Sequence, residues 1–592
     1  MKKVWKHLSF VIAAIMLLSM AACGNTPLTT SSSMTTGTTA GTTASTTEGT
    51  TASSAPSEGT ETEATTTPAN DMMTPFSPYP ETITIHVARV MNKGAALAPG
   101  ETTSKNGQID VIKKKLNVDI VVDWETSPDQ YNQKLSLSVA AGTLPDSFAV
   151  SDYLMFRALV ENSALADLTE SFDKCVGGQV AKMIEPLDKQ QLASFTVDGK
   201  LFGLTGPWEG YGYNLLWIRN DWLKKVNLPA PRTLDDLKAV AAAFVKNNLG
   251  GDKTIGLALR PDIEGNSSSF ISASPIFNAV GAFPQTWIKG SDGKLVYGDV
   301  APEMKTALGI LADWYQSGLI DPQFMTYKNV DEVTPLVNNG NSGMMFIGWW
   351  GGWVTEPILE RDPKADWIPV LCPVDANGQF KHTNPMGGTG GGCQVVRADY
   401  AYPEAVVKAL NVENEAMLGM YDNDPEIVAM LKPSRDASAG GRTISPFSGL
   451  MLAANYSKNP QMGKAIDDLI KTGATVWPDS FTPGDKSFAQ DAVNFAKNPV
   501  FELERKAEYI AYIGYTADML LSDPAHADIQ VFDIQTESMA DYWPNLLKME
   551  SEMITAIISG QKPLDYFDEF VTQWKAQGGD TITQEAQAQI GQ

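Results

Sequence analysis

The chain has 592 residues, a formal net charge of -24, and a composition that is 43% hydrophobic and 19% charged. That is an ordinary globular composition on more chain than one hydrophobic core normally serves. So acidic a protein argues against nucleic acid as a partner and against adsorption to anionic lipid headgroups, since both need a basic face.

The chain opens "MKKVWKHLSFVIAAIMLLSMAACGN", with Lys2, Lys3 and Lys6 ahead of an apolar stretch from Leu8 to Ala22. The stretch is shorter than the roughly 20 residues of a comfortable membrane span, so residues 1–22 read as a secretory signal peptide. "SMAAC" resembles a bacterial lipobox, in which the cysteine, here Cys23, is acylated and becomes the mature N-terminus. Two or more acyl chains would hold it stably in a bilayer. Residues 23–80 are rich in Thr, Ser, Gly and Ala and show no apolar periodicity. Such a segment cannot bury enough surface to offset its ordering entropy and is expected to be a disordered tether.

"ETITIHVARV" (81–90) alternates as a strand. "NGQIDVIKKKLNVDIVVDW" (106–124) reads as a helix and then a strand from Val118. Between 129 and 150, Tyr131, Leu135 and Val139 keep helical spacing, Gly142 stops that helix, and "SFAV" is a strand. This order argues for a mostly parallel sheet in an α/β domain. A second α/β pattern follows. Residues 215–228 run from strand into helix, and Thr233 with Asp236 form a capping pair for a helix over 231–247. "TIGLALR" (254–260) reads as a strand, 302–320 as a long amphipathic helix, and 332–348 ends in a short buried strand. From about Pro403 the pattern is mainly helical.

Residues that could carry chemistry are sparse. GxxxxGK[ST], HExxH and GxSxG are absent, and "GGTGGG" (387–392) misses the dinucleotide fingerprint because Cys393 stands where the third glycine would be. The four histidines, His7, His86, His382 and His526, are scattered, which disfavours a zinc site or a Ser-His-Asp triad. "DANG" (375–378) has half of a calcium loop and reads better as a hairpin turn. No cofactor and no metal is expected. With Cys23 acylated, Cys175, Cys372 and Cys393 remain without a CxxC pattern. Three buried thiols are the preferred reading, with Cys372 and Cys393 the more plausible pair if one disulfide forms. A paired-carboxylate glycosidase stays open, since it needs only two acids at a set separation.

The signal concentrates in aromatics. "GPWEGYGYNLLW" (206–217) carries Trp208, Glu209, Tyr211 and Trp217, and "GWWGGW" (348–353) carries Trp349, Trp350 and Trp353. Indole and phenol faces stack on the C–H face of a sugar ring while nearby polar groups bond its hydroxyls. Trp217, in a strand pattern, reads as core. Trp350 reads as cleft, because the glycines would let its loop lie close against a flat ligand.

Several stretches, in this order, resemble the extracellular solute-binding lipoproteins of ABC importers. They are "KLSLSVAAGTLPD", "DGKLFGLTGPWE", "LWIRNDWLKKVNLPAPRTLDDL", "SGLIDPQF", "NNGNSGMMFIGWW" and the tail "MESEMITAIISGQKPLDYFDEFVTQWKAQGGD". The similarity is to the carbohydrate-binding group that includes the maltose-binding protein, and in particular to long Gram-positive LplA-like lipoproteins. The resemblance implies an α/β two-lobe flytrap with hinge crossovers. The first lobe would hold 81–206 and 368–425, and the second 207–367 and 426–592. It also implies a non-catalytic monomer that binds a carbohydrate and meets membrane permease subunits. Glu209 matches an acidic sugar contact, Trp350 a sugar-stacking tryptophan, and Asp146, in "LPD", a position near the cleft. Trp287 and Arg442 join the candidates from local composition. The alternatives are a surface-tethered carbohydrate-active enzyme and a peptide-binding protein of the same fold.

Overall fold

The computed structural model describes residues 72–90, 97–184, 195–205, 214–261, 271–290, 292–327, 330–386, 392–437, 458–478, 481, 483–498, 514, 520, 526–532, 534 and 536–590. Cys23 and the Thr/Ser-rich stretch up to Asp71 lie outside them.

The alternation in Ile83–Val90 puts Ile83, Ile85 and Val87 into a core. This strand lies second in a five-stranded sheet, in the order Val118–Thr126, Ile83–Val90, Ser147–Val150, Cys393–Val396, Gly203–Leu204. The first three strands are parallel, as their helical crossovers require, and the last two pair antiparallel. The crossover helix Gly107–Leu116 starts at Asn106, whose side chain accepts the amides of Gln108 and Ile109 at 3.1 and 3.2 Å. Gly142, at φ 68°, ends the helix Pro128–Ala141 as its position in the sequence predicts.

A second set of elements has its own cores. Leu215–Arg219, wholly buried, is the middle strand of an antiparallel sheet between Met344–Ile347 and Trp367–Val370. Trp217 is fully buried, as read from the sequence. A further sheet runs Phe380–Met386, His526–Phe532, Trp287–Lys289, Leu295–Tyr297. The helix Leu234–Lys246 begins with the expected reciprocal cap of Thr233 and Asp236.

Several expectations change. "TIGLALR" makes only isolated bridges, at Ile255, Leu257 and Ala258, each to a different partner. Gly256 there runs against the Leu319 carbonyl and Ala241, so a side chain would collide. The chain was expected to re-enter the first lobe at 368. Instead Trp367–Val370 and Phe380–Met386 pair in the second set of sheets, and the return comes between 386 and 393. Nor does the first core end at 425, because Pro425–Ala437 packs on Gly107–Leu116 through Ile427 and Leu431. Among the described residues, the mainly helical C-terminal third supplies one strand, His526–Phe532, parallel to Phe380–Met386.

The tether also ends earlier than 80. Tyr79 is buried, its hydroxyl donates to Glu404 at 2.7 Å, and Lys408 Nζ donates to the Met72 carbonyl and Ser77 Oγ at 3.1 and 3.2 Å. Met72, Met73 and Tyr79 bring the apolar surface that the Thr/Ser stretch lacks. "DANG" is a hairpin turn. Asp375 accepts the amides of Asn377 and Gln379, and Lys381 sits on its other oxygen. Cys175, Cys372 and Cys393 are free, buried thiols. Cys372 lies in a different core from the other two.

One buried cluster has a consequence for pH. Tyr297 stacks on Trp574 at 5.4 Å, Trp574 Nε1 donates to Glu550 Oε1 at 2.8 Å, and the Tyr297 hydroxyl donates to Glu550 Oε2 at 3.4 Å. Asp299, also buried, accepts the Gln285 amide. Neither carboxyl forms an ion pair among the described residues. Desolvation pushes both well above the usual carboxylate range, and their mutual repulsion raises Glu550 further. The folded protein therefore holds protons that the unfolded chain would release. The stability from this cluster is complete below about pH 4, where free carboxyls titrate, and is lost as pH rises through the raised values. Calorimetric melting from about pH 5 to about pH 9 should show Tm falling with pH, and falling less in Glu550→Gln. Equal slopes for the two proteins would contradict this.

Candidate functional site

In the antiparallel sheet Ile347 pairs with Leu215 and Val370 with Leu216. Both outer strands therefore end at the edge where the middle strand begins. The chain reaches that edge from Gly203–Leu204 of the first sheet, so the edge lies at one of the joins between the two halves of the molecule. The segment 348–353 leaves from the same edge, not as the expected loop throughout but as a turn that enters the short helix Gly351–Val354.

Its backbone lies on the Trp217 indole. Trp217 Nε1 donates to the Gly348 carbonyl at 3.0 Å, and a Cβ on Gly351 would lie 2.5 Å from Trp217 Cε2. Gly351 thus serves a close approach to protein rather than to ligand, which corrects the expectation for that glycine. Above this base the three indoles meet edge to face. Trp349 stands 5.8 Å and 83° from Trp350, and 5.0 Å and 71° from Trp353. Trp349 is held on two sides, by the sheet core and by the cluster of Met462, Ile466, Phe481 and Val493. Trp350 is half-buried against the sheet core, and Trp353 is 42% exposed. The result is a fixed indole shelf with one open member.

Other candidates fall elsewhere. Asp146 is buried, with Oδ2 accepting the His86 amide at 2.9 Å and Oδ1 accepting Arg397 Nη2 at 3.0 Å. Its carboxylate ties strands of the first sheet together, at the amino end of Ser147–Val150. Ligands of open α/β sheets gather at the carboxyl ends. Trp287 is 3% exposed and packs on Tyr297 at 5.1 Å, inside a core. Trp208, Glu209, Tyr211 and Arg442 lie outside the described residues.

The structure adds a group the sequence reading missed. At the carboxyl ends of Ile83–Val90 and Val118–Thr126, buried Arg89 stands 3.8 Å from Glu125 and donates to the Thr103 carbonyl at 3.4 Å. Burial lowers the Arg89 pKa, and Glu125 and Glu413 oppose that shift. The signal was present as a charged residue inside each of two strand patterns, "HVARV" and "VVDWET".

Two α/β halves on separate sheets, joined by a chain that crosses between them more than once, define the class of two-lobe binding proteins. The chain belongs to the bacterial extracellular solute-binding protein family, whose sequence profile matches residues 101–412. It is 28% identical over 334 residues, 54% of this chain, to the polygalacturonan/rhamnogalacturonan-binding protein YtcQ of Bacillus subtilis strain 168. That match spans 60% of the length of YtcQ. It is 23% identical to the lipoprotein LipO of the same organism, over 82% of this chain and 89% of LipO. Among solved structures, the alginate-binding protein AlgQ2 superposes with a TM-score of 0.55 at 16% identity, covering 87% of this chain and 99% of AlgQ2. An HMO-binding, ABC-transporter-associated solute-binding protein from Bifidobacterium longum infantis gives 0.57 at 17% identity, covering 86% of this chain and 98% of that one. These structures share the fold.

Gly351→Ala should destabilise the protein by about 1–3 kcal/mol through overpacking against Trp217. Denaturant titration followed by tryptophan fluorescence would measure it, and an unchanged midpoint would refute the contact.

Proposed function

We propose that this chain is the lipid-anchored carbohydrate receptor of an ABC importer, capturing an oligosaccharide outside the cell. The observation that carries the reading is the indole shelf of Trp349, Trp350 and Trp353, fixed on Trp217 at one of the joins between the two halves. A rigid aromatic platform costs little side-chain entropy to present and suits the apolar face of a sugar ring. The names of relatives support the ligand class. YtcQ is a polygalacturonan/rhamnogalacturonan-binding protein, and FusA of Streptococcus pneumoniae, 21% identical over 305 residues, is a fructooligosaccharide ABC transporter substrate-binding protein.

In this reading the sugar lies on Trp350 and Trp353 and is completed by the first half, with Arg89 and Glu125 at the ends of its parallel strands and Glu209 and Trp208 from the connecting segment. Binding favours a closed form because the second half adds contacts only there; a ligand held equally by open and closed forms would shift nothing. The closed monomer then delivers its ligand to membrane permease subunits. It acts without catalysis. Cys23 carries the acyl anchor, and the Thr/Ser-rich stretch spaces the body from the membrane.

Calorimetric titration of the folded body with an oligosaccharide panel tests this. A binder should raise Tm without being consumed, and Trp350→Ala should weaken it by about 1 kcal/mol or more, roughly fivefold, with the fold intact by circular dichroism. Chromatographic detection of shortened products would instead make the protein an enzyme. Cys23→Ser should move the protein from the membrane pellet to the supernatant, and a variant that still pellets would place the anchor elsewhere.

A further inference from the structure

A cavity of about 350 Å³ opens beside the strand Trp367–Val370, walled by Pro231, Pro369, Val370, Leu371 and Val374 and lined also by Arg232. Its place follows from register. Val370 pairs with Leu216 while Ile347 pairs with Leu215, so the cavity and the indole shelf leave the same edge of one sheet. The two strand ends, at Ile347 and Val370, are two strand spacings apart, about 10 Å. An extended oligosaccharide lying along that edge reaches from one to the other.

Among the described residues that line the cavity, Arg232 is the one charged group. Its backbone is fixed, since its carbonyl accepts the Val374 amide at 2.7 Å and its own amide donates to Asp236 at 3.2 Å. The Asp236 carboxylate is also engaged by the Thr233 amide, as the cap of the following helix. The guanidinium is exposed and forms no ion pair or hydrogen bond among the described residues. Its charge nevertheless reaches the buried Cys372 thiol beside Leu371, where it opposes the upward shift that burial causes. An unpaired guanidinium against proline and aliphatic walls is a matched partner for a ring with one apolar face and one carboxylate. The carboxylate takes the planar fork, and the C–H face takes the walls.

We propose that this cavity is a subsite for a carboxylate-bearing sugar unit, with Arg232 as the residue that selects it, so that the ligand is an acidic oligosaccharide. This rests on the carbohydrate-receptor reading. The test is calorimetric titration of the protein with a uronate trisaccharide and with its carboxyl-reduced, neutral counterpart. Wild type should bind the acidic form about tenfold more tightly, as a charge-assisted contact implies, and the margin should shrink with added salt. Arg232→Gln should abolish the margin while leaving the affinity for the neutral sugar unchanged, and Trp350→Ala should weaken both ligands alike. A wild type that binds both equally, or an Arg232→Gln variant that keeps the margin, overturns the subsite and leaves the receptor reading standing. A wild type that binds neither, together with silence across the wider panel, sinks both.

Discussion

The site depends on one contact, the backbone of Gly351 lying flat on the indole of Trp217. The fully buried Trp217 belongs to the middle strand of its sheet, so it cannot shift without disturbing both flanking strands. Through the Gly348 carbonyl and the bare Cα of Gly351 it fixes where the loop starts and how it turns. The three exterior indoles inherit that placement. Their mutual edge-to-face packing then sets their angles without any partner from solvent. A binding surface built this way is preorganised by the core of one half, so little ordering remains when a ligand arrives.

The two halves differ in how they meet a ligand. The first offers strand ends with charged groups, Arg89 and Glu125, in a partly desolvated setting where each interaction counts for more. The second offers aromatic and aliphatic surface with Arg232 at its margin. In the proposed reading, a ligand bearing ring faces, hydroxyls and a carboxylate would use both.

Much of the fold was legible because its local rules were obeyed. The alternation of Ile83, Ile85 and Val87, the Thr233–Asp236 cap and the stop at Gly142 each rest on neighbours in sequence, and each is where it was read. What escaped depends on distant partners. Residues 254–260 have the composition of a strand, but Gly256 is pressed against Leu319 and Ala241, and no ladder forms. The true return to the first half after 386 is set by pairing with His526–Phe532, about 140 residues away in sequence, which no local pattern announces. At the site, the Trp349–Trp353 cluster stood out because glycine beside tryptophan is unusual in a core. Asp146, chosen by the resemblance, and Trp287, chosen by local composition, are occupied by hydrogen bonding to His86 and Arg397 and by packing on Tyr297. Arg89 shares the inward parity of Ile83, Ile85 and Val87, so a cation on the buried face was the signal the alternation carried.

The clamp of Lys408 and Glu404 on residues 72–79 has a mechanical consequence. Any pull along the leader segment enters the body at the helix Pro403–Met417, beneath the first sheet, and not at a swivel between the halves. Lys408 and Glu404 both belong to the half built on the first sheet, so a load on the chain upstream of Met72 is borne there, away from the indoles of Trp349, Trp350 and Trp353.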